Sequence, residues 1–263
     1  LFAFYVKYQK RAQAKATENK RKEEELEEAR QFQLDMLPRD TPDELGLDIS
    51  SAIQTATEVG GDYYDYFPQK DGKSLYVVVG DATGHGMTAG MMVSITKAGL
   101  YGIPSIPPND IARRLNRVIK NIDLGWNRMA FNMARFWEDR VEFTSAAMPP
   151  VYHYHGETGE LDEVLLGGLP LGSIKDETFS LEEFDFNQGD SLIFISDGLP
   201  EAANHTGEML GYDAVYNCIK ANGNQSAEEQ KQSLLDLGSA WLGGLQNQDD
   251  ITIVVVKKSK PLE

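Results

Sequence analysis

Apolar and polar positions divide the chain into a polar amino-terminal segment and a longer segment with many apolar runs. Alternating apolar residues, or short runs of β-branched ones, predict eight strands: 47–56, 74–80, 129–136, 141–145, 151–155, 165–171, 191–196 and 250–257. Apolar residues at helical spacing predict four helices in the same segment: 87–100, 109–122, 207–221 and 227–242. Because strands come in runs with helices grouped between them, we expect an α+β fold without βαβ winding.

The amino-terminal segment has a different pattern. Residues 9–37 contain neither glycine nor proline and are rich in Ala, Glu, Lys, Arg and Gln, which predicts one long helix ending at Pro38. A heptad seam is possible but mostly polar: Ala12, Asn19, Leu26 and Gln33. We therefore expect a marginal coiled coil that pairs as a parallel homodimer. Residues 1–38 are interpreted as a linker helix and residues 39–263 as the globular domain.

Charge is distributed unevenly between these two parts. The net charge is −16, and residues 1–38 carry eight basic and seven acidic side chains, so the excess of acid lies in the globular domain. An acidic domain repels phosphate backbones, which argues against a nucleic-acid partner. The single cysteine, Cys218, excludes an intrachain disulfide and suits a reducing cytosol.

The chain begins with an apolar stretch, residues 1–6, that is followed by a basic one. This order is typical of the cytoplasmic exit of a membrane helix, so we expect a cytoplasmic domain at the inner face of the plasma membrane, within a membrane-anchored sensor. The alternative interpretation is an arbitrary starting point for the chain.

Four aspartates lie at predicted strand ends: Asp62, Asp81, Asp197 and Asp249. Glycine neighbours three of them, and Gly84 and Gly86 after Asp81 favour a tight turn because glycine adopts positive φ easily. Four carboxylates at one sheet edge would repel each other unless cations were bound. Oxygen ligands select Mg²⁺ or Mn²⁺, and a pair of ions would form a hydrolytic site. The alternative is four unrelated turn or capping aspartates.

Five motifs occur in order along the chain: Glu28-Ala-Arg-Gln-Phe-Gln33 running to Met36-Leu-Pro38, Val59-Gly-Gly-Asp-Tyr-Tyr-Asp65, Gly80-Asp-Ala-Thr-Gly-His-Gly86, Ser196-Asp-Gly-Leu-Pro-Glu-Ala202 and Asp249-Asp-Ile-Thr252. This set resembles the bacterial metal-dependent protein phosphatases of the protein phosphatase 2C type, in the sporulation-stage-II-E and sigma-factor-regulator branch. The resemblance covers nearly all of residues 24–257. It implies two stacked antiparallel sheets flanked by helices, with a site for two Mn²⁺ or Mg²⁺ ions.

The resemblance also implies roles for individual residues. Asp62 and Asp81 would ligate the ion pair, and Ala82 would contribute its backbone carbonyl. Asp197 and Asp249 would complete the second ion's shell, with Asp250 left open as the alternative to Asp249. His85 would hold a metal-bound water, although a turn histidine is an equal alternative.

The chain departs from the family pattern at two points. Residues 146–150 read Ala-Ala-Met-Pro-Pro where many relatives carry Ala-Gly-His-x-Pro, and no arginine stands in an obvious place to bind phosphate. His153 and His155 alternate on a predicted strand; a zinc pair is conceivable, but we favour a solvated strand face.

The resemblance implies a serine/threonine protein phosphatase that hydrolyses phosphoserine or phosphothreonine with metal-activated water. The substrate would be a bacterial regulator of the anti-sigma-factor-antagonist kind. Two alternatives stay open: a non-catalytic signalling module that binds a regulator and dimerises through its coiled coil, and a sensor output whose coiled coil is the working part.

Overall fold

The computed structural model describes residues 2–43, 45–56, 59–69, 72–84, 86–102 and 104–259. Its helices are α1 (Phe2–Met36), α2 (Met87–Tyr101), α3 (Pro108–Ile122), α4 (Tyr212–Asn222) and α5 (Ala227–Leu242). Its first five strands are β1 (Leu47–Gln54), β2 (Asp62–Pro68), β3 (Leu75–Ala82), β4 (Met129–Phe136) and β5 (Arg140–Ala146). The others are β6 (Val151–Tyr154), β7 (Leu161–Val164), β8 (Glu182–Asp185), β9 (Ser191–Ile195) and β10 (Ile251–Lys258).

The strands form two five-stranded sheets. The first sheet has the order β1-β10-β9-β6-β7 and the second β2-β3-β4-β5-β8. Every strand pair within the described residues is antiparallel. The short strands β7 and β8 are outer strands of their sheets.

Three apolar layers hold the sheets and helices together. One lies between the sheets, where Val77 and Val79 of β3 pack with Val254 and Val256 of β10. The second lies between the second sheet and helices α2 and α3, and the third between the first sheet and helices α4 and α5. This arrangement confirms the predicted α+β fold with two stacked antiparallel sheets flanked by helices.

The layering explains why central strands read as continuous apolar runs rather than alternating ones. In β3, Val77 and Val79 face the layer between the sheets, whereas Tyr76 and Val78 face α2 and α3. All four side chains are at most 2% exposed. Helices cover the outer faces, so both sides of the strand must be apolar.

Several predicted boundaries are wrong for identifiable reasons. Residues 165–171 form no strand and contribute only the bridge between Met129 and Leu171, because glycines and a proline interrupt them. Helix α4 begins at Tyr212 instead of residue 207, after glycines with positive φ at 207 and 211. Strands β2, β7 and β8 were not predicted.

Helix α3 also differs in detail from its prediction. Pro107 occupies the cap and Pro108 the first turn, so the helix begins one residue before the predicted residue 109. Ile119 is buried beside the second sheet, while Val118 is 39% exposed.

Helix α1 runs for 35 residues without interruption. Apart from Gln33, its described side chains are exposed or partly exposed, and ion pairs one turn apart join Glu18 to Lys22, Lys20 to Glu24 and Arg21 to Glu25. Such pairs stabilise a helix by only about 0.3–0.5 kcal/mol each. None of the described helices combines the length and apolar composition that crossing a membrane requires.

Candidate metal centre

Two of the predicted ligands face each other across a strand pair. Asp62 opens β2 and Asp81 lies at the end of β3, and the antiparallel register places them directly opposite. Asp62 thus begins a strand, whereas the sequence analysis placed it at the end of one. Its side chain is 2% exposed, and its Oδ2 atom has no hydrogen-bond partner among the described residues. A buried carboxylate oxygen without a donor is free to bind a cation.

The other two predicted ligands come from the first sheet. Asp197 follows β9 and Asp249 precedes β10, and these strands are antiparallel neighbours. The carboxyl end of β9 therefore meets the amino end of β10 at one edge of the sheet. Ser196 fixes this junction, because its amide donates to the carbonyl of Thr252.

The charges of these side chains act on one another. Burial raises the pKa of Asp62 well above its usual range, and the charge of Asp81 adds to the rise. Burial raises the pKa of Asp81 to about 7, with further contributions from Asp197, Asp249 and Asp250. Burial and the charge of Asp249 also raise the pKa of Asp197. The carboxylates repel one another, and a divalent cation would relieve that repulsion.

The backbone beside Asp81 offers further oxygen atoms. A Cβ atom on Gly61 would lie 2.5 Å from the carbonyl oxygen of Ala82 and 3.0 Å from Asp81 Oδ1. Only glycine leaves this space open. The carbonyl and the carboxylate oxygens form an all-oxygen donor set, which fits Mg²⁺ or Mn²⁺ better than a softer metal.

Asp249 and Asp250 have clearly different environments. Asp250 is 4% exposed; its Oδ1 accepts a hydrogen bond from the amide of Ala56 at 2.8 Å, and its Oδ2 accepts one from Gly61 at 2.7 Å. Asp249 is exposed, and its Oδ1 accepts only the amide of Asp250 within the described residues. Asp250 therefore fixes the loop that leads to Asp62, while Asp249 keeps a carboxylate oxygen available.

Close packing explains the glycines beside the aspartates. A Cβ on Gly60 would lie 2.2 Å from Asp250 Oδ2, and one on Gly198 would lie 2.0 Å from the Asp250 carbonyl oxygen. Any larger residue would push the three segments apart. The glycines are thus required for Asp62, Asp197 and Asp249 to converge.

An arginine lies beside the candidate centre, although the sequence analysis found none in an obvious place. The amide of Arg128 donates to Thr83 Oγ1 at 2.8 Å, directly after Ala82. Its guanidinium group donates to the carbonyls of Gly125 and Asn127. The loop thus holds this cation against its own backbone.

Residues 147–150 line a cleft that opens beside Asp197. Its volume is about 440 Å³, and Met148, Leu165, Glu201 and Tyr212 are among the residues that line it. Ala147 has a φ of 63°, at the position where many relatives carry glycine. The alanine keeps the left-handed conformation at a cost of about 1 kcal/mol.

None of the histidines that the structure describes belongs to this centre. His85 lies outside the described residues, so its predicted role stays a prediction. His153 is 3% exposed, which contradicts the solvated strand face expected for it. Aromatic packing explains the burial, because Phe184 and Phe186 stack on its ring.

Sequence reasoning missed the contact between α1 and the centre. The side chain of Gln33 is 5% exposed; its Nε2 donates to the carbonyl of Gly60 at 2.9 Å, and its Oε1 accepts the Gly60 amide at 3.0 Å. Lys97 of α2 donates to the carbonyl of Met36 at 2.6 Å and pairs with Asp65 of β2. The signal was present in the first motif, where Gln33 was treated only as a polar heptad position.

Comparison with known proteins identifies the family of this chain. The family model for stage II sporulation protein E (SpoIIE) matches residues 71–259. The chain belongs to the SpoIIE family. It is 28% identical over 239 residues to phosphoserine phosphatase RsbU of Bacillus subtilis (strain 168), which covers 89% of this chain and 70% of RsbU. The predictions of a protein phosphatase 2C-like domain and of a serine/threonine phosphatase are confirmed.

Solved structures share the fold. The SiaA-PP2C domain of Pseudomonas aeruginosa superposes with a TM-score of 0.79 at 22% identity, over 92% of this chain and 98% of that one. RsbX in complex with magnesium superposes with a TM-score of 0.62 at 18% identity, over 82% and 96% of the two chains.

The raised pKa of Asp81 predicts how the metal-free protein responds to pH. An unfolded aspartate titrates near 3.9, whereas Asp81 in the fold titrates at about 7. Ionised Asp81 therefore destabilises the metal-free fold increasingly as pH rises from about 4 to 7. We expect Asp81→Asn to melt at a higher temperature than the wild type near pH 8, and the difference to shrink toward pH 5. Thermal unfolding in a chelator measures this.

The matched control is Asp176→Asn, because Asp176 is 76% exposed and pairs only with Arg117 within the described residues. Its melting temperature should follow that of the wild type at every pH. If Asp81→Asn did so too, the carboxylates would not repel one another in the fold.

Substitutions of the adjacent Asp249 and Asp250 should affect different properties, metal binding and stability respectively. Asp249→Asn should weaken Mn²⁺ binding without lowering the stability of the metal-free protein, because the side chain is exposed and its charge adds to the repulsion on Asp81 and Asp197. Asp250→Ala should lower the free energy of unfolding by roughly 3 kcal/mol, since the amides of Ala56, Gly61 and Asp62 lose their acceptor. Calorimetric Mn²⁺ titration and urea unfolding measure the two quantities. Undiminished Mn²⁺ affinity in Asp249→Asn would contradict the assignment.

Proposed function

We propose that this domain hydrolyses phosphoserine or phosphothreonine on a bacterial regulator protein, with two Mn²⁺ or Mg²⁺ ions at the centre. The ligands are the carboxylates of Asp62, Asp81, Asp197 and Asp249 and the carbonyl of Ala82. One observation carries the proposal: in a chain of the SpoIIE family, carboxylates from both sheets lie close enough that their charges raise the pKa values of Asp62, Asp81 and Asp197.

The chain's own residues have three tasks. Asp62 and Asp81 present oxygen atoms from opposed strands, so their spacing is set by the β2–β3 register. Asp250 holds the Gly61 amide and so fixes the loop before Asp62. Divalent ions, when bound, neutralise the carboxylates, activate water and stabilise negative charge on a phosphoryl group.

The cleft beside Asp197 is the proposed entrance for the phosphorylated side chain. Apolar residues such as Met148, Leu165 and Tyr212 line it, together with the acidic Glu163 and Glu201. A segment of the regulator next to the phosphorylated residue would pack there. RsbU is named a phosphoserine phosphatase, which supports a phosphoserine substrate for this chain. We propose a regulator of the anti-sigma-factor-antagonist kind.

The alternative is a domain that binds its regulator without hydrolysing it. The guanidinium of Arg128 is bonded to its own loop, so phosphate would depend on the bound ions for positive charge. All four carboxylates are nevertheless present and clustered, which favours catalysis. Turnover separates the two functions directly.

We expect purified protein to release inorganic phosphate from a phosphorylated regulator only when Mn²⁺ or Mg²⁺ is added. Asp197→Asn should lower the rate by roughly 100-fold or more, because misplacing the reacting groups by about 1 Å costs that much. Asp176→Asn serves as the control and should match the wild type. Wild-type turnover of Asp197→Asn at limiting Mn²⁺ would refute the site assignment.

We also propose that residues 1–38 form a linker helix that pairs in parallel with a second copy. Exposed aromatic side chains cluster at the beginning of α1: Phe2, Phe4, Tyr5 and Tyr8. A helix with so few apolar contacts is only marginally stable alone. Because Gln33 and Met36 contact the catalytic domain, the boundary for truncation lies before them.

Sedimentation of the full chain and of a variant starting at Glu27 tests this pairing. We expect the full chain to be dimeric at tens of micromolar and the truncated chain to be monomeric, with its Gln33 contact retained. Monomers in both cases would exclude pairing through α1.

A further inference from the structure

A second cluster of metal-binding side chains lies far from the aspartates. His153, His155 and Asp190 each present one donor atom, and the three atoms lie within 4.8 Å of one another. Asp190 directly precedes β9, whereas Asp197 follows it. Asp190 and Asp197 are seven residues apart in the sequence, which at about 3.3 Å per residue separates them by roughly 20 Å. The histidine cluster is therefore independent of the proposed catalytic centre.

The local structure brings the two imidazoles together. His153 is the third residue of β6, and His155 directly follows the last one, Tyr154. Residues two positions apart along a strand point to the same side, so the two imidazoles share one face. Their ring centroids are 4.2 Å apart. Imidazoles held in this way present two nitrogen ligands to one ion, as sites for zinc and related metals require.

Carboxylates complete the cluster on both sides. His153 Nε2 lies 3.4 Å from Asp190 Oδ2, and His155 Nε2 lies 2.9 Å from Asp162 Oδ2. The amides of Gly156 and Asn187 donate to Asp190 Oδ1 and Oδ2 and hold the carboxylate in place. Each oxygen keeps a second lone pair that can bind an ion. Histidine ligands of metals are commonly paired with carboxylates that fix the ring, so this arrangement is suited to metal binding.

An ion can reach the cluster from solvent. His155 has a side chain 31% exposed and Asp162 one 68% exposed, while His153 and Asp190 are buried behind them. An open groove of about 660 Å³ adjoins the cluster, and Asp162, Glu163, Glu182 and Asp185 give it negative charge. Acidic walls attract cations to the opening.

We propose that His153, His155 and Asp190 bind one Zn²⁺ ion, with a carboxylate oxygen of Asp162 as the fourth ligand. Tetrahedral zinc needs donor atoms about 3.3 Å apart, given zinc–nitrogen bonds of about 2.0 Å. Rotation of the exposed His155 side chain closes the remaining distance. Imidazole ligands distinguish this site from the all-oxygen centre, which favours Mg²⁺ or Mn²⁺.

The ion would tie the edge strand β7 to the turn before β9. Asp162 lies on β7, and its neighbours Glu163 and Leu165 line both the acidic groove and the cleft beside Asp197. Zinc at the cluster would therefore immobilise one wall of that cleft. This is a structural role and does not require zinc in catalysis.

The test uses Co²⁺ as a spectroscopic substitute for Zn²⁺ in the full chain, stripped with a chelator. The Asp81→Asn background weakens competing binding at the aspartate centre. We expect one equivalent of Co²⁺ to give the intense visible band of a tetrahedral site with imidazole ligands, and Zn²⁺ to displace it. His155→Gln should lose the band, although glutamine can still donate to Asp162. His205→Gln, at an exposed loop histidine, should keep it.

Melting temperature gives an independent result. A ligand that binds only the folded state stabilises it. Zn²⁺ should therefore raise the melting temperature of Asp81→Asn and of the Asp81→Asn/His205→Gln double variant, but not that of Asp81→Asn/His155→Gln. Mg²⁺ should raise the melting temperature of none of the three. Absence of a stoichiometric Co²⁺ band, or an unchanged band in His155→Gln, would show that His153 and Asp190 form a structural hydrogen-bonded pair only. A band that appears in the wild-type chain but not in Asp81→Asn would place the ion at the aspartate centre and overturn the proposal.

Discussion

Repulsion between the clustered carboxylates is the constraint on which this structure depends. Asp62 and Asp81 lie opposite each other at the edge of one sheet, and Asp197 and Asp249 approach them from the other sheet. No described cation neutralises them, since Lys97 is paired with Asp65 and Arg128 with its own loop. The fold therefore stores unfavourable electrostatic energy at the point where a divalent ion would bind. That energy is available to increase the affinity for ions.

Asp250 shows how the fold tolerates such a concentration of charge. It is a further buried carboxylate, but backbone amides from Ala56 and Gly61 satisfy its oxygens. Glycines at positions 60, 61 and 198 allow the chain to approach this side chain and the Ala82 carbonyl closely. Structural and metal-binding aspartates thus occupy adjacent positions, and their hydrogen bonds distinguish them. Gln33 extends the same network to α1 through Gly60.

The sequence predicted the layers of the fold and the identity of the clustered aspartates, since both follow from local patterns and short motifs. It did not predict β2, because its aromatic run has no simple alternation. The register between Asp62 and Asp81 was therefore not predictable. The sequence could not distinguish between Asp249 and Asp250 as the metal ligand, since only the tertiary contacts of Asp250 show that its oxygens accept backbone amides. The burial of His153 likewise depends on Phe184 and Phe186, which are distant in sequence.

The most direct test of the account is a crystal structure of the full chain with Mn²⁺, measured with anomalous scattering at the manganese edge. The account predicts two anomalous peaks between the two sheets, in contact with Asp62, Asp81, Asp197, Asp249 and the Ala82 carbonyl. Asp250 should keep its hydrogen bonds to Ala56 and Gly61. Peaks ligated by Asp250 instead of Asp249, or no peak beside Asp81 at saturating Mn²⁺, would contradict the claim that these repelling carboxylates form the metal centre.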